Sequence, residues 1–242
     1  MAQTDEERAP AKQEAELSVA PRLLAQVQPL MRGRLVSRDA LDCQKALCRQ
    51  IRQAGGDSLL AVKANQPNLL ADVTLLFADP PPGERFLQAR TVNEHGGRRE
   101  VRQLRASATL ARYRREAGWP DAGRVLEVAT TVRWPRHPAK GTRHEVRFFL
   151  TSLPAQTPPE EALSLVRQHW HIENRLHWPR DVTFGEDACQ VRSGRAPQAL
   201  AGVRNAVVGL LHQQGVGNLA AALRANAWSG AATVLTFLGL KL

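Results

Sequence analysis

His169–Trp178 reads HWHIENRLHW, three histidines, two tryptophans and one glutamate within ten residues. The reading of this stretch decides the fold. Steps of three and four through Ala162, Leu165, Val166, His169, Ile172, Glu173 and Leu176 predict a helix over Pro158–His177. On a continuous α-helix, residues four apart share a face, so His169, Glu173 and His177 would stack along one line. Such a line offers zinc ligands, and a zinc hydrolase built on these three residues is one reading. A second is packing: Trp170, His171 and Trp178 would fill a helix–sheet seam. A third gives Glu173 to a hard divalent cation, because a carboxylate among aromatic side chains is costly to bury unless it is paired or binds metal.

A hard cation needs a second carboxylate, and Asp39 is the candidate. Upstream, RGRLVSRDALD (32–42) predicts a strand over Arg34–Ser37 ending at Arg38-Asp39. Residues 40–54 carry Leu41, Leu47 and Ile51 at helical spacing and stop at Gly55-Gly56. DSLLAVKAN (57–65) is an apolar run that reads as a buried strand. Strand, helix and strand of these lengths form a βαβ unit with a parallel pair. In open α/β sheets the functional groups gather at the carboxyl ends of the strands, where Asp39 sits.

Around this core the pattern changes twice. Residues 85–153 alternate over short lengths and read as mainly β, with a short helix near Ala108–Glu116. Residues 154–242 return to helices: Pro158–His177, Pro197–Gln214, Asn218–Asn226 and Ala231–Leu238. The expected organisation is a loose segment over 1–17, the start of the α/β core over 18–84 including a short helix near Ser18–Val27, the β region over 85–153, and the helices over 154–242.

Composition narrows the partner. Lysine and arginine total 33 against 23 acids, a formal charge of +10 and a pI near 10.6. An excess of this size favours a polyanion, nucleic acid above all. Three cysteines without a CxxC pair argue against a disulfide framework or a cysteine zinc site. The charged start and the absence of a long apolar run predict a soluble, cytoplasmic protein without a membrane partner.

Several blocks resemble, in order, the DDE transposases of bacterial insertion sequences, in their H-repeat-associated (ISAs-type) class. They are GRLVSRDALDCQ (33–44), GGDSLLAVKANQPNLLADV (55–73), HGGRREVR (95–102), FFLTSL (148–153), HWHIENRLHWPRDVTFGED (169–187) and GRAPQALAGVRNAVVGLL (194–211). The resemblance covers about residues 15–215. It implies a ribonuclease H-like catalytic core interrupted by a mainly β insertion and followed by C-terminal helices. It implies that Asp39 and Glu173 are the second and third acidic ligands of Mg²⁺ or Mn²⁺ ions. The reaction it implies is strand cleavage and transfer on DNA, with the insertion-sequence ends and the target as partners, assembly as a homodimer on paired ends, and a place at the nucleoid. Arg180, seven positions after Glu173, matches a basic position of the wider superfamily. Arg167, Arg175, His169 and Lys63 are further candidates for phosphate contact.

One block of the family is missing. Its first aspartate lies on an N-terminal strand, but the acids before Asp39 here are Asp5, Glu6, Glu7, Glu14 and Glu16, and none follows an apolar strand. The expectation is therefore an incomplete core lacking its first strands, with little activity and marginal stability alone. A DNA-binding remnant without chemistry is the alternative reading.

Overall fold

The computed structural model describes residues 21–39, 43–110, 116, 118, 119 and 123–228, with Glu173 and Asn174 described by their backbone alone. The expected helices near 108–116 and 231–238 fall largely or wholly outside these residues. The chain divides into two compact units, one reaching Val166 and the other starting at Arg167.

The first unit is built on the βαβ element. A helical stretch over 21–27 and a 3-10 turn at Gln28–Leu30 lead to β1, Leu35–Arg38, one residue later than the sequence predicts. Helix α1 (Lys45–Gln53) returns the chain to β2 (Asp57–Val62), and β1 pairs with β2 in parallel. Two glycines make this return. The Gly55 N–H donates to the Arg52 carbonyl and the Gly56 N–H to the Ile51 carbonyl, which satisfies the last turn of α1. Gly55 has φ +76°, and a Cβ on Gly56 would lie 3.0 Å from the Met31 carbonyl oxygen.

Helix α2 (Pro67–Ala78) follows, then a meander of four strands: β3 (Leu87–His95), β4 (Arg98–Ser107), β5 (Arg124–Arg133) and β6 (Thr142–Thr151). The meander is not a separate layer. Strand β6 pairs antiparallel with β2, so all six strands form one sheet in the order β1-β2-β6-β5-β4-β3.

Strand β2 explains how this sheet is covered. Five of its six residues are buried, because both faces carry helices. Leu60 and Val62 pack with Val125, Leu150, Cys43, Cys48 and the α2 residues Leu69, Val73, Leu76 and Phe77. Leu59 and Ala61 face the other way, with Leu104, Leu126, Val128 and Phe149, against Ala162, Leu163 and Val166 of α3 (Pro159–His169). The linker into α3 is held by Arg124, buried at 1% exposure, whose Nη2 donates to the carbonyls of Pro154 (2.8 Å) and Thr157 (3.0 Å). Burial without an acidic partner lowers its pKa.

In the second unit the expected single helix over Pro158–His177 does not continue. Helix α3 ends at His169, Trp170 makes a turn, and Glu173–His177 and Pro179–Thr183 are π-helical. Helices α4 (Ala196–Gln213) and α5 (Leu219–Trp228) supply the packing partners: Val208, Leu211 and Leu219 are buried against Leu176 and Phe184. Among the described residues no helix is long and apolar enough to cross a membrane.

Candidate functional site

Asp39 directly follows β1 and Lys63 directly follows β2, so both stand at the carboxyl end of the parallel pair. The fold brings these two sequence-predicted residues together: Lys63 Nζ lies 3.2 Å from Asp39 Oδ1, with each side chain 59% exposed. An exposed pair of this kind is worth little to stability. Gln66, just ahead of α2, donates to the Cys43 carbonyl at 2.8 Å and so ties the turn after β2 to the turn after β1. Sequence reasoning missed Gln66; its signal was the polar ANQP run that closes an apolar strand.

Both cysteines behind this end of the sheet, Cys43 and Cys48, are buried and unpaired with another cysteine. Burial pushes Cys43 up to about 12, with Cys48 adding to the effect, and burial pushes Cys48 up to about 11.

Glu173 opens the first π-helical segment of the second unit. Single π turns recur at functional positions because they widen the backbone and re-aim a side chain. The break at Trp170 corrects the stacked arrangement: His169 closes α3, while Glu173 and His177 belong to a different segment. His169 is half-buried, its ring set edge-on to Trp170 at 5.0 Å and 75°. Of the residues expected to pack, Trp170 is half-buried, whereas His171, Ile172 and Trp178 are exposed; His177 is exposed too, and Leu176 joins the core.

The candidate arginines differ in their surroundings. Arg167 is half-buried and Arg175 exposed, and the Arg175 carbonyl lies 2.8 Å from His212 Nε2. Arg180 makes a two-pronged bond to Glu186, Nε to Oε2 at 2.7 Å and Nη2 to Oε1 at 2.6 Å. The hydrogen bonds from Arg180 hold the Glu186 carboxyl below its usual range, and the same bonds raise Arg180. Glu186 also escaped the sequence reading. A carboxylate six positions after an arginine is uninformative until the π turn at Pro179–Thr183 brings the chain back.

The chain matches the family model described as the transposase DDE domain over residues 8–208. It is 28% identical over 207 residues to the putative protein YbfL of Escherichia coli K12, covering 83% of this chain and 52% of that one. It is 28% identical over 200 residues to the H repeat-associated putative transposase YhhI of the same strain, covering 81% and 51%. An uncharacterized protein in the dhlA 3' region of Xanthobacter autotrophicus shares 35% over 122 residues, covering 50% and 40%. The chain spans about half the length of the first two relatives. The match over most of this chain places it in the H-repeat-associated family of DDE transposases.

Proposed function

We propose that this chain carries part of the catalytic machinery for metal-dependent cleavage and transfer of insertion-sequence DNA. The observation that carries the reading is Asp39 at the carboxyl end of a parallel strand pair, inside a chain matched to the transposase DDE domain. In this reading β1, α1 and β2 are part of a ribonuclease H-like core and the meander is its insertion.

The donors fit a hard divalent ion, Mg²⁺ or Mn²⁺. Asp39 offers an exposed anionic oxygen, already facing a cation in Lys63. By the family resemblance, Glu173 would be the other carboxylate ligand. When bound, the ion supplies positive charge against the negative charge that builds on the phosphoryl oxygens. Lys63 exchanges Asp39 for a DNA phosphate. Arg180, fixed in orientation by its two bonds to Glu186, presents its guanidinium to the backbone. His169, Arg167 and Arg175 flank Glu173 in sequence and serve as its phosphate contacts. Two carboxylates make a weak ion site, so these 242 residues alone cleave little DNA; the active assembly is a dimer on paired DNA ends.

The experiment is calorimetric titration of Mn²⁺ into the purified chain, run beside nicking of supercoiled plasmid. Weak binding reduced by Asp39→Asn and by Glu173→Gln supports the ligand pair; binding unchanged in both variants removes it. Zinc retained through dialysis and lost in His177→Ala would favour the zinc hydrolase instead. Strong magnesium-dependent nicking abolished by Glu173→Ala would overturn the weak-activity proposal and strengthen the catalytic one. A second reading, DNA binding without chemistry, is favoured by the Asp39–Lys63 pair, which leaves the carboxylate already neutralised. Salt-sensitive DNA binding without metal-dependent cleavage is its signature.

A further inference from the structure

The meander distributes its arginines unevenly. Side chains alternate between the two faces of a strand. On the face shared with Leu104 and Leu126, two arginines are matched by acids, Arg102 at 2.7 Å from Glu100 and Arg147 at 2.6 Å from Glu145, and the buried Arg124 donates to carbonyls. On the opposite face, next to α2, Arg105 is matched by Glu127 at 2.7 Å. Farther out on that opposite face, beyond the reach of α2, the matching stops. Arg90, Arg99 and Arg133 are all exposed there. Arg99 has Glu94 at 3.7 Å, and Arg90 and Arg133 have no carboxylate partner among the described residues.

The register sharpens the contrast, because Arg99 stands directly opposite Arg133 on the neighbouring strand. Like charges in that position destabilise a sheet. A short walk along the same strands, the chain places Glu127 opposite Arg105. The three arginines line one shallow cavity of about 260 Å³, floored by Val101, Gln103 and Thr131. A second cavity of about 310 Å³ adjoins it through Arg99 and is bordered by Arg98, Arg136 and the Gly96-Gly97 turn. Both turn glycines have positive φ and open space where a Cβ would stand.

We infer that this outer sheet face is a docking surface for the sugar-phosphate backbone of duplex DNA, separate from the Asp39 end of the sheet. The inference rests on the reading of the chain as a DNA transposase and adds to it a second contact surface. A row of phosphates relieves the repulsion between Arg99 and Arg133 and supplies the acceptors that Arg90 and Arg133 lack. Arg90 is in register with Gln103, four positions along β4 from Arg99. That offset is about 13 Å of strand, the rise of roughly four nucleotides along one DNA strand.

The test compares three forms of the 242-residue chain on a short duplex of arbitrary sequence over a range of salt. They are wild type, Arg90→Gln/Arg99→Gln/Arg133→Gln, and a control losing the same charge elsewhere, Arg22→Gln/Arg49→Gln/Arg224→Gln. Each phosphate contact contributes roughly 0.9 to the slope of log affinity against log salt, so the face variant should lose about 2.7. The control should lose markedly less. The melting temperature of the face variant should stay level or rise, because a like-charge pair is gone. If the triple variant unfolds, Arg133→Gln alone should still lower the slope by about 0.9. A face variant with the wild-type slope sinks the inference and leaves the transposase reading intact. Equal losses in the face variant and the control also sink it, as a net-charge effect. A wild type that binds no DNA removes both.

Discussion

Arg180 and Glu186 show what a single pair contributes in the second unit. Glu186 is held below the usual carboxylate value, so its bond to Arg180 is fully present above the unfolded pKa, about 4.3. That stability is lost as pH falls through the lower folded value. Arg180 stays charged throughout and adds no pH dependence at neutrality. We expect an acid-unfolding midpoint that shifts upward in Glu186→Gln, followed by circular dichroism; an unchanged midpoint would show the pair to be energetically idle. The cysteines give a second test. Cys189 lies below the usual thiol range, chiefly through the Val191 N–H, then through a hydrogen bond with Arg204, while Cys43 and Cys48 are buried and raised. A thiol reagent on the native protein should modify Cys189 alone, at a rate that holds up below pH ~8. Rapid labelling of all three would mean the α1–α2 side of the sheet opens readily. The place of Asp39 at the end of an apolar strand was legible, although an aspartate there is as readily a turn or helix N-cap residue. Its partnership with Lys63 was not, since it depends on the register of the parallel pair, in which Arg38 faces Leu60 while β2 runs on to Val62.

At the scale of elements, boundaries followed from local chemistry wherever one residue type controls the backbone. Gly55-Gly56 ended α1 as read, and Gly55→Ala should cost about 1–2 kcal/mol through its positive φ; denaturant unfolding checks this. The helix over Pro158–His177 failed for the opposite reason. Apolar spacing of three and four does not distinguish an α-helix from one that turns at Trp170 and widens into π turns, because the difference lies in which carbonyl each N–H reaches. Arg124 presents a balance of costs. It is buried without a carboxylate, and its two acceptors belong to Pro154 and Thr157, which lie near the surface where water can replace it. Desolvation therefore outweighs the bonds, and Arg124→Met should keep or raise the melting temperature while speeding hydrogen exchange over residues 154–158. A large fall in melting temperature would show that the two carbonyl bonds dominate.

At the scale of the whole chain, the parallel pair and the β meander were both legible, but their union into one sheet was not. Nothing in the spacing of residues 142–151 announces β2 as the partner; the pairing follows from burying Phe149 and Leu150 on opposite sides of a sheet covered by helices. Among the described residues β1 is the sheet's outer strand on that side, four half-buried residues of a parallel pair. Parallel strands are ordinarily covered on both faces and flanked, and an open edge invites pairing with another chain. Light scattering of the purified protein should show association that rises with concentration and falls in Val36→Lys. A monomer with one sharp unfolding transition at all concentrations would argue against it.

The β2–β6 pairing also sets an order of events in time. The Ser58 N–H reaches the Ser152 hydroxyl across 94 positions of chain, so this closure is the most entropically demanding step in building the sheet. Strands β3 to β6 need only neighbours to zip together, starting from the two-residue turn at Gly96-Gly97. Once zipped, they bring Phe148–Thr151 back toward the end of α2 as a ready edge for β2. Folding should therefore begin in the hairpin and finish at the parallel pair. Stopped-flow refolding should find Gly96→Val slowing the folding arm, whereas Val36→Ala chiefly speeds unfolding.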